Sequence, residues 1–76
     1  MLHARKDYQD LVELDKSIPK NEPVFLIRAQ DIVGASVVRE WARLNAEAGG
    51  SADLTKTALQ HAAKMDKWPK KKLADL

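Results

Sequence analysis

Catalysis by a nucleophile, or by a paired acid and base, needs at least two polar groups converging in a cleft. The residue types that could supply them are scarce here. The chain has no cysteine, and its two histidines, His3 and His61, lie far apart. Asp31 and Glu40 are isolated carboxylates without a partner signature. A metal site built on His61 would draw on Thr57, Ala58, Met65 and Asp66, of which only Asp66 is a common ligand type. It stands five residues away rather than at the spacing of three or four that shares a helix face. Gly34 is solitary, and Gly49-Gly50 lacks the following Lys-Ser/Thr of a phosphate loop. The expectation is a non-enzymatic chain with no catalytic, cofactor-binding or metal-ligating residue, in which His61 is a boundary histidine satisfied by a hydrogen bond.

Binding chemistry has more to work with. The net charge is +2, and residues 51–76 hold the excess, with six lysines against three aspartates. Lys70, Lys71 and Lys72 follow Trp68-Pro69 directly, so the positive field gathers at the C-terminal end. A helix-turn-helix reader of DNA would use the helices either side of Gly49-Gly50, with Lys56, Lys64, Lys67, Lys70, Lys71 and Lys72 on phosphates. The start of its second helix, with Ser51, Asp53, Thr55 and Lys56, is poor in Arg and carries an acid where phosphates approach. A plain helical hairpin with a solvated lysine end accounts for the same pattern, so DNA binding stands as the alternative function.

These residues are positioned by a short chain. A sequence of 76 residues with 45% hydrophobic and 32% charged side chains is a single soluble domain. Domains of this size bury a small core and are commonly stabilised by a disulfide, a metal or a partner. Without cysteines or clustered metal ligands, a protein partner is the expected stabiliser. No apolar stretch approaches the roughly 18 residues of a membrane helix. The opening Met-Leu-His-Ala-Arg-Lys-Asp has no apolar core of the signal-peptide type. A cytoplasmic setting without membrane contact follows as an expectation.

Periodicity predicts a mainly α domain of three helices. Ala4, Tyr8, Leu11 and Val12 mark one over 3–17, ended by Pro19. Val37, Val38, Trp41, Ala42, Leu44, Asn45 and Ala48 mark a second over 36–48, preceded by a break at Gly34 and a cap at Ser36 and stopped by Gly49-Gly50. Leu54, Ala58, His61, Met65 and Trp68 mark a third over 53–68, capped by Ser51 or Asp53 and closed by Pro69. Residues 70–76 read as a weakly ordered basic tail. The last two helices should form a hairpin that buries Trp41, Leu44, Leu54, Ala58 and Met65; for Trp41 the alternative is an interface anchor. Arg43 and Glu47 are spaced to pair.

One segment departs from the helical pattern. Val24-Phe25-Leu26-Ile27 is a continuous apolar run, read as a short strand over 24–28, with the first turn of a helix beginning at Pro23 as the alternative. A lone strand leaves its backbone donors and acceptors unmatched, so it predicts a homodimer in which 24–28 pairs antiparallel across a two-fold axis. The candidate interface is Val24, Phe25, Leu26, Ile27, Arg28, Gln30 and Asp31. Arg28 and Asp31 form either a buried ion-paired corner or part of the surface that grips a protein partner.

The stretch Glu22-Pro23-Val24-Phe25-Leu26-Ile27-Arg28-Ala29-Gln30-Asp31, with Val37-Val38-Arg39-Glu40-Trp41-Ala42 and His61-Ala62-Ala63-Lys64-Met65-Asp66-Lys67-Trp68, resembles short uncharacterised proteins of tailed phages and prophages. It spans roughly the last two-thirds of the chain. The resemblance implies a phage context in a bacterial cytoplasm and a role in binding a host factor, a defence complex or a virion component, with no catalytic residues.

Overall fold

The computed structural model describes residues 2, 3, 5, 8 and 17–75. It is small and mainly helical. Among the described residues, two two-residue strands, β1 (Leu2–His3) and β2 (Pro23–Val24), precede two helices, α1 (Gly34–Glu47) and α2 (Ala52–Asp66), and the backbone at Tyr8 is helical. The helix expected over 3–17 falls almost wholly outside the described residues. Its first position is corrected, because the backbone of His3 belongs to β1.

α1 and α2 form the expected antiparallel hairpin, and the turn between them explains why. Gly49 takes φ +82°, a left-handed conformation that costs glycine no Cβ clash. That geometry lets its N–H reach the carbonyl of Ala46 at 3.1 Å and the N–H of Gly50 reach that of Asn45 at 2.8 Å. This is the Schellman arrangement, which satisfies two carbonyls otherwise orphaned at a helix end. Ser51 then starts α2, its hydroxyl accepting from the N–H of Leu54 at 3.2 Å. Asn45 donates to the hydroxyl of Thr55 at 3.1 Å, tying the two helices beside the turn.

The other end of the hairpin corrects the expectation at Gly34. Rather than breaking the chain, Gly34 opens α1, and Ser36 has no capping role; the N-cap residue is Val33, without a side-chain cap. The carboxylate of Asp31 instead accepts from the N–H of Val33 at 3.0 Å, and its carbonyl accepts from Gly34 at 2.9 Å. Gly34 is required by crowding. A Cβ there would lie 2.8 Å from the carbonyl oxygen of Arg28 and 3.1 Å from side-chain carbons of Ile27 and Met65.

The core is small in extent and in the size of its members. Ala35, Ala62 and Met65 form its buried cluster, with Ile27, Ala29 and Val38 packed against it, and Tyr8 and Ala42 are buried outside that cluster. Of the five side chains expected inside the hairpin, Met65 is buried and Ala58 half-buried. Trp41, Leu44 and Leu54 are not; they remain 46%, 50% and 50% exposed. Ala42 and Ala62, both 0% exposed, are the most buried positions of their helices, so small side chains line much of the seam while Trp41, Leu44 and Leu54 stand on the flanks.

The strand expectation is corrected as well. Only Pro23 and Val24 are extended in a ladder, and their partner is within the chain: β1 pairs parallel to β2, Leu2 opposite Pro23 and His3 opposite Val24. Residues 25–28 lie outside any ladder, so an antiparallel pairing of 24–28 across a dimer axis has no support. The basic tail is also anchored over much of its length. Lys72 donates its N–H to the carbonyl of Gln30 at 2.8 Å and accepts from Ile32 at 2.9 Å, and the Lys71 ammonium donates to the carbonyls of Ala29 and Met65.

Candidate interaction surface

At about 3.6 residues per turn, α1 divides into three faces. Gly34, Ala35, Val38, Ala42 and Asn45 look toward α2. Arg39, Glu40, Arg43 and Glu47 occupy the far side and one flank. Val33, Val37, Trp41 and Leu44 recur at spacings of four, four and three, forming a continuous apolar stripe on the remaining flank, and all four are exposed.

α2 repeats the division. Thr55, Ala58, Ala62 and Met65 face α1. Because the helices run antiparallel, Leu54 and His61 project to the same side of the hairpin as the Val33–Leu44 stripe, whereas Leu59 and Asp66 project to the opposite side. The ion pair between Arg39 and Asp66 bridges the helices on that opposite side, as this geometry requires. One side of the hairpin is thus fastened by charge, and the other is an open apolar face centred on Trp41, Leu44 and Leu54.

Charge frames the face on its two outer edges. Along α1, Arg43 donates to Glu40 on one side and to Glu47 at 2.7 Å on the other, leaving that edge net negative. The hydrogen bond from Arg43 holds the Glu40 carboxyl below its ordinary range, and Glu40 in turn raises Arg43. Along α2, Lys64 and Asp53 stand on the edge beside Leu54 and balance one another, whereas Lys56 and Lys67 lie round toward Leu59. The hydrogen bond from Arg39 lowers Asp66, and that from Lys72 lowers Asp75.

The residues singled out in the sequence are dispersed by the fold. Val24 belongs to β2, Ile27 is half-buried against the core, and Phe25 and Leu26 are exposed. Arg28 and Asp31 do not pair: Arg28 reaches the Tyr8 hydroxyl at 3.5 Å with its guanidinium 6.0 Å from the ring centre, while Asp31 is spent on the entry to α1. With Arg5, Gln30 and Lys72, these side chains line a shallow cleft around Tyr8. Of the six lysines assigned to DNA, Lys71 is held by backbone carbonyls and Lys72 by Asp75 at 3.0 Å, while Lys56, Lys64, Lys67 and Lys70 are exposed. His61 is exposed and has no hydrogen-bond partner among the described residues, which corrects its reading as a satisfied boundary histidine.

Among the described residues no group of three or more His, Asp or Glu side chains is gathered as metal ligands require, and no helix is long and apolar enough to cross a membrane. No family model matches this chain, and no curated protein or solved structure matches it. The functional reading therefore rests on the surface itself. The sequence held the signal for the apolar face, in Val33, Val37, Trp41 and Leu44 at helical spacing, but the same spacing is equally that of a core stripe.

Proposed function

We propose that this chain is a small, non-enzymatic, phage-type protein of the bacterial cytoplasm that works by binding protein through the apolar face of its helical hairpin. One observation carries the reading: five large apolar side chains, Val33, Val37, Trp41, Leu44 and Leu54, are left about half exposed on one side of a hairpin whose own seam is filled by alanines. An exposed, contiguous apolar patch with a polar rim is the ordinary mark of a protein contact surface. The phage context is supported by the resemblance of 22–31 and its companion segments alone.

Site-specific photocrosslinking in the expressing cell tests the reading. A photoreactive residue at 41 should give adducts with a polypeptide, and the same residue at 59, on the opposite side of the hairpin, should not. Equal yields at the two positions, or none at 41, would overturn it.

A further inference from the structure

We propose that the C-terminal end of α2 binds single-stranded nucleic acid, with backbone phosphates on Lys64, Lys67 and Lys70 and a base stacked on Trp68. This adds a second binding activity and does not rest on the protein-contact reading of the apolar face.

The first argument is where unneutralised charge gathers. Residues 54–74 hold six lysines and a single acid, Asp66. Asp66 is paired with Arg39 on the Leu59 side of the hairpin, so it does not offset the lysines on the outer side of α2. Arg43 is engaged by Glu40 and Glu47, and Lys72 by Asp75. Among the described residues no ion pair reaches Lys56, Lys64, Lys67 or Lys70, and all four are exposed. Three of these free cations fall at the end of α2. A helix C-terminus on its own disfavours phosphate, because its last carbonyls carry partial negative charge. Here the Lys71 ammonium donates to the carbonyls of Met65 and Ala29, which covers part of that negative end with a further cation.

The second argument is the indole beside those cations. Lys67 keeps helical backbone angles past the end of α2, so Lys67 and Trp68 stand three and four residues beyond Lys64 and flank it on the last turn. Trp68 is 52% exposed, and Pro69 ends the helical path directly after it. An exposed aromatic ring among lysines is the combination that holds a single strand, since the cations take the phosphates and the ring takes an unpaired base. A duplex keeps its bases stacked inside and would leave the indole unused. The N-terminal end of α2 offers neither part, having Asp53 in its first turn and no aromatic residue.

Fluorescence anisotropy of a labelled oligothymidylate of about twelve nucleotides measures the binding, and Trp68 emission in a Trp41→Phe background reports the stack. The oligonucleotide should bind and quench Trp68, and raising salt from about 50 to about 200 mM should weaken binding about twentyfold, as three phosphate contacts to a single strand require. Lys64→Gln/Lys67→Gln should weaken binding by about tenfold, and Lys56→Gln, about three turns away along α2, by less than about twofold. Trp68→Ala should weaken it by about fivefold or more. Should Trp68→Ala fail to fold, the quenching and the lysine variants decide the matter. No binding at the lower salt overturns the proposal, as does binding without quenching of Trp68. Equal affinity for a duplex of the same length, or for polyglutamate, overturns it too, and so does a Lys56→Gln variant as impaired as Lys64→Gln/Lys67→Gln.

Discussion

The two sides of α1 treat residue size in opposite ways. On the side toward α2, the fully buried position is Ala42, as Ala62 is on α2, and Gly34 is pressed against Arg28, Ile27 and Met65. On the adjoining flank Val33, Val37, Trp41 and Leu44 are about half exposed. Small residues inside and large ones outside invert the usual distribution. The difference teaches that the seam between the helices is set by backbone proximity, and that the larger apolar area remains available for association.

The comparison breaks most visibly at the seam. Ala62→Leu forces a branched side chain between closely spaced backbones and should destabilise the fold by about 3 kcal/mol. Leu44→Gln, on the flank, should cost the dilute monomer no more than about 1 kcal/mol, because half of the side chain is already in water. Urea unfolding at low micromolar concentration measures both. Equal costs would mean that the flank is part of the core.

Gly34→Ala tests the same crowding at the open end of the hairpin. Its Cβ would lie 2.8 Å from a backbone oxygen, which cannot swing away as a side chain can, so a loss of about 2 kcal/mol is expected by thermal or urea unfolding. The matched substitution on the flank, Val37→Ala, should lose about 1 kcal/mol or less. At the closed end, Ser51→Ala removes the acceptor for the N–H of Leu54 and should cost about 1 kcal/mol, seen as a lower urea midpoint with an unchanged slope.

The smallest effect concerns the side fastened by charge. Arg39 lowers the folded pKa of Asp66 below its unfolded value. The pair's contribution is therefore fully present above the unfolded carboxylate range near about pH 4 and is lost as pH falls through the lowered folded value. Thermal midpoints of the wild type should fall below about pH 4 more steeply than those of Asp66→Asn. Identical acid limbs would show that the ion pair contributes nothing, as exposed pairs often do.

Much of the hairpin was legible from punctuation. Gly49-Gly50 and Ser51 demand a left-handed stop and a capped start, and both occur where glycine and serine chemistry requires them. Arg43 and Glu47 pair as their spacing suggests, and Met65 is buried. The identity of the core was not legible, because helical periodicity marks an apolar stripe without saying what lies opposite it. Trp41, Leu44 and Leu54 read as core by size, whereas the alanines beside them allow the closer approach and take the seam.

The segment 24–28 was misread for a related reason. A β-branched and aromatic run suggests a strand, but pairing is limited by its partner, and β1 is only two residues long. Beyond Val24 the chain turns Ile27 into the core and spends Asp31 on the entry to α1. The signals for those roles are tertiary, since Asp31 acts by accepting from Val33 and Gly34 in a turn that composition does not mark. The anchoring of Lys72 at Gln30 and Ile32 is equally non-local.

The most direct test follows Trp41 itself. In a Trp68→Phe background its fluorescence reports one site on the apolar face. In dilute solution the emission should lie at the long wavelength of a half-exposed indole, and iodide should quench it readily. Short-wavelength emission that iodide cannot reach would contradict an open apolar face.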